Sequence, residues 1–265
     1  MDFLYAADNG FFNLLRISMI SCVKYNKGAM FHVFTMDSPE TKQIQLSNSN
    51  KKRLKAEIEE LDSTAKIIFY DVRDLFLEKM GNSINNASEY TPYAALRLLA
   101  PFVLNIDFAL YLDCDTLVAT PLTELFVNYK NKQFDIAATA FINENNNTYF
   151  LSSVILFNLK YQRENNFKFI NEAINIYNTY KLKFPDQDAI TMARKTAIIL
   201  EGSYYMNDYQ EEETKILCVC NRFSMKVRNF LKHSVYPLKA NQIYDNLQRI
   251  QMLISEFQKD DLANL

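Results

Sequence analysis

An α/β fold with a mostly parallel central sheet flanked by helices, followed by a helical C-terminal extension, is the architecture the sequence predicts. Three observations carry it. Strand and helix patterns alternate from Asp2 to Tyr70, the apolar run Phe108-Ala109-Leu110-Tyr111-Leu112 stops at two carboxylates, and Ile243 to Phe257 places apolar residues on a helical stripe. Alternation of the first kind belongs to doubly wound sheets, whose crossovers bury strands on both faces.

Asp2 to Ala7 reads as the first strand and ends in Asp8-Asn9-Gly10, a turn with two polar side chains at its mouth. Phe11 to Tyr25 reads as a helix, with Leu14, Leu15, Ser18, Met19 and Cys22 near one face. Phe31 to Met36 is a second strand, and Asp37-Ser38-Pro39-Glu40 looks like a helix start supported by the run Lys51 to Leu61. Lys66 to Tyr70 is a third strand. The segment Tyr93 to Leu104 is helical in part, with Pro101 expected to end or kink it. After the strand Phe108 to Leu112, further strands are expected at Asp135 to Phe141 and Val154 to Leu159, joined by the polar loop Asn143 to Thr148. Glu164 to Tyr180 fits one amphipathic helix, and Pro185-Asp186-Gln187-Asp188 opens another. The stripe Ile243, Leu247, Ile250, Leu253, Ile254 and Phe257 suits a core-facing or dimer-facing helix. The expected division is 1–240 for the main domain and 241–265 for the extension.

Composition narrows the function classes. With 29 basic and 31 acidic side chains and a net charge of -2, the chain offers no electrostatic case for general nucleic-acid binding. The start Met1-Asp2-Phe3-Leu4-Tyr5 has no basic leader segment, and no apolar run is long enough to span a bilayer, so a cytoplasmic protein is expected. Only four glycines occur, which excludes both the Gly-x-Gly-x-x-Gly dinucleotide fingerprint and the Walker A loop. Cys218-Val219-Cys220 lacks a second close pair and is better suited to strand or core packing than to zinc.

Asp113-Cys114-Asp115 stands out. It falls at the carboxyl end of a buried strand, where open α/β sheets place their ligand crevices. Two carboxylates there can hold a hard divalent cation and leave coordination positions for diphosphate oxygens. A solvated acidic turn is the alternative for an isolated pair of this kind.

Taken together, Tyr5-Ala6-Ala7-Asp8-Asn9, Tyr93-Ala94-Ala95-Leu96-Arg97-Leu98, Tyr111-Leu112-Asp113-Cys114-Asp115-Thr116-Leu117-Val118, Val154-Ile155-Leu156-Phe157-Asn158-Leu159, Asp186-Gln187-Asp188, and His233 with Lys239 resemble glycosyltransferase family eight. That family includes bacterial lipopolysaccharide galactosyl- and glucosyltransferases and glycogenin. The pieces occur in the family's order, to about residue 240.

The resemblance implies a GT-A-type catalytic domain that binds a UDP-sugar. Asp8 and Asn9 match the turn that contacts uracil and ribose, although Asp8 also suits a helix cap before Phe11. Asp113 and Asp115 match carboxylates that hold manganese, with magnesium as the substitute, and His233 matches a third ligand. Lys239 matches a diphosphate contact, with an ordinary surface lysine as the alternative; His32 reads as a packed core residue. Asp186 and Gln187 match the catalytic pair beside the reacting sugar carbon, while Pro185-Asp186 could simply begin a helix. Retention of anomeric configuration is implied, by same-face attack of the acceptor hydroxyl.

Four departures stand beside these matches. Ala95 occupies the place of the family's arginine, making Arg97 the candidate donor contact of that segment. Leu151-Ser152-Ser153 replaces an amide-containing stretch near the sugar, Tyr236 replaces a glycine, and Ala240-Asn241 replaces Pro-Trp. The expected activity is transfer of galactose or glucose from a UDP-hexose to a saccharide or glycolipid acceptor in lipopolysaccharide biosynthesis. The alternative is a weak or inactive homologue that binds a nucleotide sugar or a partner. A sugar-nucleotide pyrophosphorylase would need a Gly- and basic-rich loop that Asp8-Asn9-Gly10-Phe11 does not supply. Peripheral association with the inner membrane face, and a homo-oligomer through the C-terminal helix, are compatible with these expectations.

Overall fold

The computed structural model describes residues 1–38, 41–88, 90–142, 146–219 and 224–262. Pro39, Glu40, Cys220 and the first part of the loop Asn143 to Thr148 therefore lie outside the described residues. A seven-stranded sheet in the order β3-β2-β1-β4-β7-β6-β8 forms the centre. Its strands are β1 (Asp2–Ala6), β2 (Met30–Thr35), β3 (Lys66–Asp71), β4 (Phe108–Leu112), β6 (Ile136–Ile142), β7 (Thr148–Asn158) and β8 (Ala197–Ile199). Only β7 runs against its neighbours in this sheet, pairing antiparallel with both β4 and β6. A small second sheet pairs β5 (Thr116–Val118) with β9 (Ile216–Cys218).

The pleat divides the core in two. Phe3, Tyr5, Leu110 and Leu112 enter the cluster that includes α1 (Phe12–Tyr25), α2 (Asn48–Leu61) and the C-terminal helices. Leu4, Ala109 and Tyr111, one residue out of phase, enter the opposite cluster. That second layer contains α3 (Arg73–Met80), α4 (Thr91–Ala95), the 3₁₀ turn Leu96–Leu99 and α5 (Ala100–Val103). Because both faces are covered, β1 and β4 read as continuous apolar runs.

The helix α1 lies between the two sheets and is buried nearly all round. Its polar side chains satisfy backbone that a short sheet leaves over: Ser21 Oγ accepts from Val118 N at 2.8 Å and Asn26 Oδ1 from Leu122 N at 2.9 Å. The helix start expected at Asp37-Ser38-Pro39-Glu40 falls in part on residues outside the described ones. The Asp37 carboxylate accepts from Gln45 N at 3.0 Å, Leu46 N donates to Thr35 Oγ1, and α2 starts only after Ser47, whose hydroxyl accepts from Asn50 N.

Pro101 sits in the first turn of α5, where its missing N–H costs no hydrogen bond, so it starts a helical turn where a break was expected. The chain then passes α6 (Thr123–Tyr129) before β6. The helix expected from Glu164 to Tyr180 is α8 (Lys168–Thr179), which starts four residues later, after a separate short helix α7 (Leu159–Glu164). Asn166 and Phe167 between them adopt left-handed backbone, φ 54° and 56°, and Phe167 turns onto Phe102 with ring centroids 5.1 Å apart. After α8 come α9 (Pro185–Ala193), α10 (Met225–Phe230), α11 (Ala240–Asp245) and α12 (Leu247–Leu262).

The C-terminal stripe packs within this chain. Ile243, Ile250 and Ile254 share the main core with β1 and α1, and Gln251 Nε2 donates to Val118 O at 2.9 Å. No helix among the described residues is long and apolar enough to cross a membrane. Because Ile254 is fully buried, Ile254→Ala should lower unfolding free energy by about 2–4 kcal/mol in urea melts. An unchanged midpoint would show that α12 is not part of the cooperative core.

Candidate active site

The carboxyl ends of β1 and β4 open into a cavity of about 420 Å³. Asp8, Arg97, Asp113, Asp115, Asp186 and Gln187 all line it. Asn9, His233 and Lys239 are not among the lining residues.

The acidic turn is built by the end of β4. Asp113 N continues the ladder to Ser153 O at 2.9 Å, and Asp113 O then accepts from Thr116 N and Thr116 Oγ1, turning the chain into β5. Cys114 is buried between the carboxylates, its Sγ 3.4 Å from Ala6 O. Burial, then the charges of Asp113, Asp115 and Asp8, hold its thiol well above the ordinary range, so it stays neutral.

Arg97 is the centre of the site. It is 4% exposed, and Nη2 donates to Asp113 Oδ1 at 2.9 Å while Nε lies 3.3 Å from Asp186 Oδ2. Nε donates to Ala94 O at 2.8 Å and Nη1 to Ser152 O, and the guanidinium carbon sits 4.1 Å from the Tyr111 ring centroid. Tyr111 donates its hydroxyl to Asp113 Oδ1 at 2.8 Å. One cation thereby joins the acidic turn to α9. Ala95, two residues earlier, is fully buried in the core. The 3₁₀ turn from Leu96 to Leu99 is what brings Arg97 to the carboxylates.

Asp186 is 5% exposed, and its Oδ2 has no hydrogen-bond partner because Arg97 Nε is already committed to Ala94 O. Burial raises its pKa, Arg97 opposes this and Asp113 adds to it, leaving it above the ordinary 3.8. Gln187 Oε1 accepts from Ser152 N at 3.0 Å. Ser152 can do this because β7 bulges: five steps of β7, Ile155 to Phe150, oppose two of β6, Ala138 to Ala140. The unpaired backbone faces Gln187 and Arg97 instead of the ladder.

Asp8 closes the turn that leads into α1. It lines the cavity, and its Oδ1 accepts from Phe11 N at 2.9 Å. The Asn9 side chain turns elsewhere, Oδ1 accepting from Ser47 N at 3.1 Å and Asn50 Nδ2 at 2.8 Å. It fastens the start of α2.

Among the described residues, no three His, Cys, Asp or Glu side chains converge as a metal-binding group. His233 is exposed on the π-helical turn Leu231–Val235, whose Leu231 and Val235 are buried, and Tyr236 N closes that turn on Leu231 O. Lys239 is exposed at the start of α11; just before it, Leu238 O accepts from the fully buried Arg16 at 2.8 Å. Tyr236 is not among the lining residues.

Aromatic and backbone features complete the lining. The Tyr93 hydroxyl accepts from Met36 N at 3.0 Å and donates to Met36 O, and burial pushes its pKa up to about 12. Tyr90 and Phe184 contribute an aromatic pair with centroids 5.3 Å apart. Thr91 has φ 61°, an unfavourable conformation for a β-branched residue.

The family model for glycosyl transferase family 8 matches residues 3–218, from β1 to the end of β9. The chain belongs to glycosyl transferase family 8. A Haemophilus influenzae protein with a provisional glycosyltransferase name is 26% identical over 206 residues, covering 72% of this family 8 chain and 58% of the relative. The chain thus spans less than two thirds of that relative's length. Among solved structures, the galactosyltransferase LgtC in complex with donor and acceptor sugar analogues superposes with a TM-score of 0.65 at 17% identity, over 93% of this chain and 96% of LgtC. GlyE of Streptococcus pneumoniae TIGR4 gives 0.66 at 16% identity, over 94% and 63%. These likenesses establish the GT-A-type fold of the family 8 chain.

The raised pKa of Asp186 has a definite sign. Its folded value lies above its unfolded one, so the folded state binds the extra proton, and stability falls as pH rises through and above about 4. Asp186→Asn removes this loss. Urea midpoints of the variant should therefore improve relative to wild type as pH rises from about 4 to 7, and a constant difference would contradict the assignment.

Proposed function

We propose that the chain is a metal-dependent, retaining glycosyltransferase that moves galactose or glucose from a UDP-hexose to a saccharide or lipopolysaccharide-type acceptor. One observation carries this reading: a single buried Arg97 joins the acidic turn Asp113-Cys114-Asp115 to the Asp186-Gln187 turn across one cavity. Family membership supplies the reaction class, and the LgtC complex, described as holding donor and acceptor sugar analogues, supports the donor and acceptor classes.

Asp113 and Asp115 suit Mn2+ or Mg2+ in donor chemistry, since both offer hard carboxylate oxygens on one short turn. A bound divalent ion supplies positive charge to the diphosphate of the donor. Arg97 orients Asp113 by engaging Oδ1, and Tyr111 engages the same oxygen, leaving Oδ2 on the other side. By the family resemblance, His233 enters this reading as a third metal ligand and Lys239 as a diphosphate contact, both at exposed positions.

On the sugar side, Asp186 lines the cavity with a carboxylate suited to a donor hydroxyl. Gln187 is held by Ser152, whose N–H and hydroxyl both donate to its carbonyl oxygen, and that oxygen can meet positive charge developing on the sugar ring. Asp8 offers a carboxylate to the nucleoside. The acceptor hydroxyl attacks the anomeric carbon from the face that UDP leaves, its proton passing to the departing diphosphate oxygen.

The second reading, a nucleotide-sugar-binding subunit without turnover, draws on Leu151 and Ser153 in the stretch beside the sugar. UDP binding with no turnover across a panel of donors and acceptors would favour it. For the enzyme, UDP release from UDP-galactose or UDP-glucose with manganese should fall about 100-fold or more in Asp115→Ala and in chelator. Full turnover in chelator would contradict metal dependence.

A further inference from the structure

Asp186 and Gln187 occupy the first turn of α9, so whatever holds that turn sets the sugar side of the cavity. The next carboxylate, Asp188, is not among the lining residues. Its Oδ2 accepts from Lys183 N and from Phe184 N, each at 2.9 Å, and its Oδ1 accepts from the Tyr149 hydroxyl. The helix start has few other means of closure. Pro185 has no N–H, and Phe184 at the cap makes no side-chain hydrogen bond.

Tyr149 lies on β7 beyond the bulge, opposite Phe141 of β6, with ring centroids 5.2 Å apart. Two further ties join the same stretches: Phe150 N donates to Thr191 Oγ1 at 3.1 Å and Ser152 N to Gln187 Oε1 at 3.0 Å. Three contacts in four residues of β7 therefore hold α9. Only the one from Tyr149 reaches the carboxylate that closes the first turn. Burial and the neighbouring Asp188 push the phenol's ionisation up, so the hydroxyl remains a donor.

We propose that Tyr149, acting through Asp188, is a positioning residue that fixes the first turn of α9 and thereby aims Asp186 and Gln187 at the donor sugar. The kinetic consequence rests on the glycosyl-transfer reading; the structural consequence does not. Tyr149→Phe removes the hydroxyl and keeps the ring against Phe141. A carboxylate freed on one side can rotate, and small displacements of reacting groups reduce turnover more than binding.

The test pairs kinetics with amide hydrogen exchange on the full chain. In Tyr149→Phe, exchange at Lys183 and Phe184 should accelerate about tenfold or more while β1 amides keep their protection. Turnover number for UDP-hexose should fall about tenfold, with the donor KM within about twofold and the melting temperature within about 3 °C. Unchanged exchange at Lys183 and Phe184 would overturn the proposal, as would accelerated exchange spread across the whole sheet. Wild-type turnover that Tyr149→Phe leaves unaltered would also overturn it. Absence of turnover in the wild type would count against the glycosyl-transfer reading alone, and the exchange result would still decide the role of Tyr149.

Discussion

The site depends on keeping one guanidinium charged inside the protein. Arg97 is buried among Asp113, Asp186, the Tyr111 ring and two backbone carbonyls. Desolvation disfavours its charged form, but Asp113, Tyr111 and Asp186 outweigh that and hold it protonated. Removing Asp113, its closest carboxylate partner, would leave this buried cation undercompensated. Through this residue, the end of β4 and the start of α9 are positioned relative to each other. The rest of the cavity is arranged around that relation.

Backbone irregularity performs the fine placement. The 3₁₀ turn at Leu96–Leu99 turns Arg97 inward, and the β7 bulge lets Ser152 use its N–H on Gln187 and its carbonyl on Arg97. A regular strand would have paired both groups with β6. The Ser152 hydroxyl adds a second donor to Gln187, so this stretch of β7 is a polar wall of main chain and side chain together.

Residues whose environment follows from local pattern were legible in the sequence. The Asp113 and Asp115 turn could be read because a fully buried strand shows as an apolar run and its end is unmistakable. Asp8 could be read for the same reason at β1. Asn9 could not, because its partner is the start of α2 some forty residues away. Arg97 was placed in the donor segment by its neighbours, yet its reach depends on a helix that tightens into 3₁₀ geometry, which apolar spacing does not encode. The division of α7 from α8 hinges on left-handed Asn166 and Phe167, and aromatic side chains seldom announce that conformation. Tyr149 and Ser152 were invisible, since a bulge is a property of two paired strands. The placement of the His233 turn is likewise set by long-range packing, with Leu231 and Val235 buried and Arg16 holding the Leu238 carbonyl.

The central claim is spatial: a metal-diphosphate side at Asp113 and Asp115 and a sugar side at Asp186 and Gln187, joined by Arg97. A crystal structure of the protein soaked with manganese and an intact UDP-hexose tests it most directly. The account expects anomalous density at the Asp113 and Asp115 carboxylates, with the hexose against Asp186 and Gln187 and Arg97 still between the two sides. Manganese bound away from those carboxylates, or the hexose ordered outside this cavity, would contradict it.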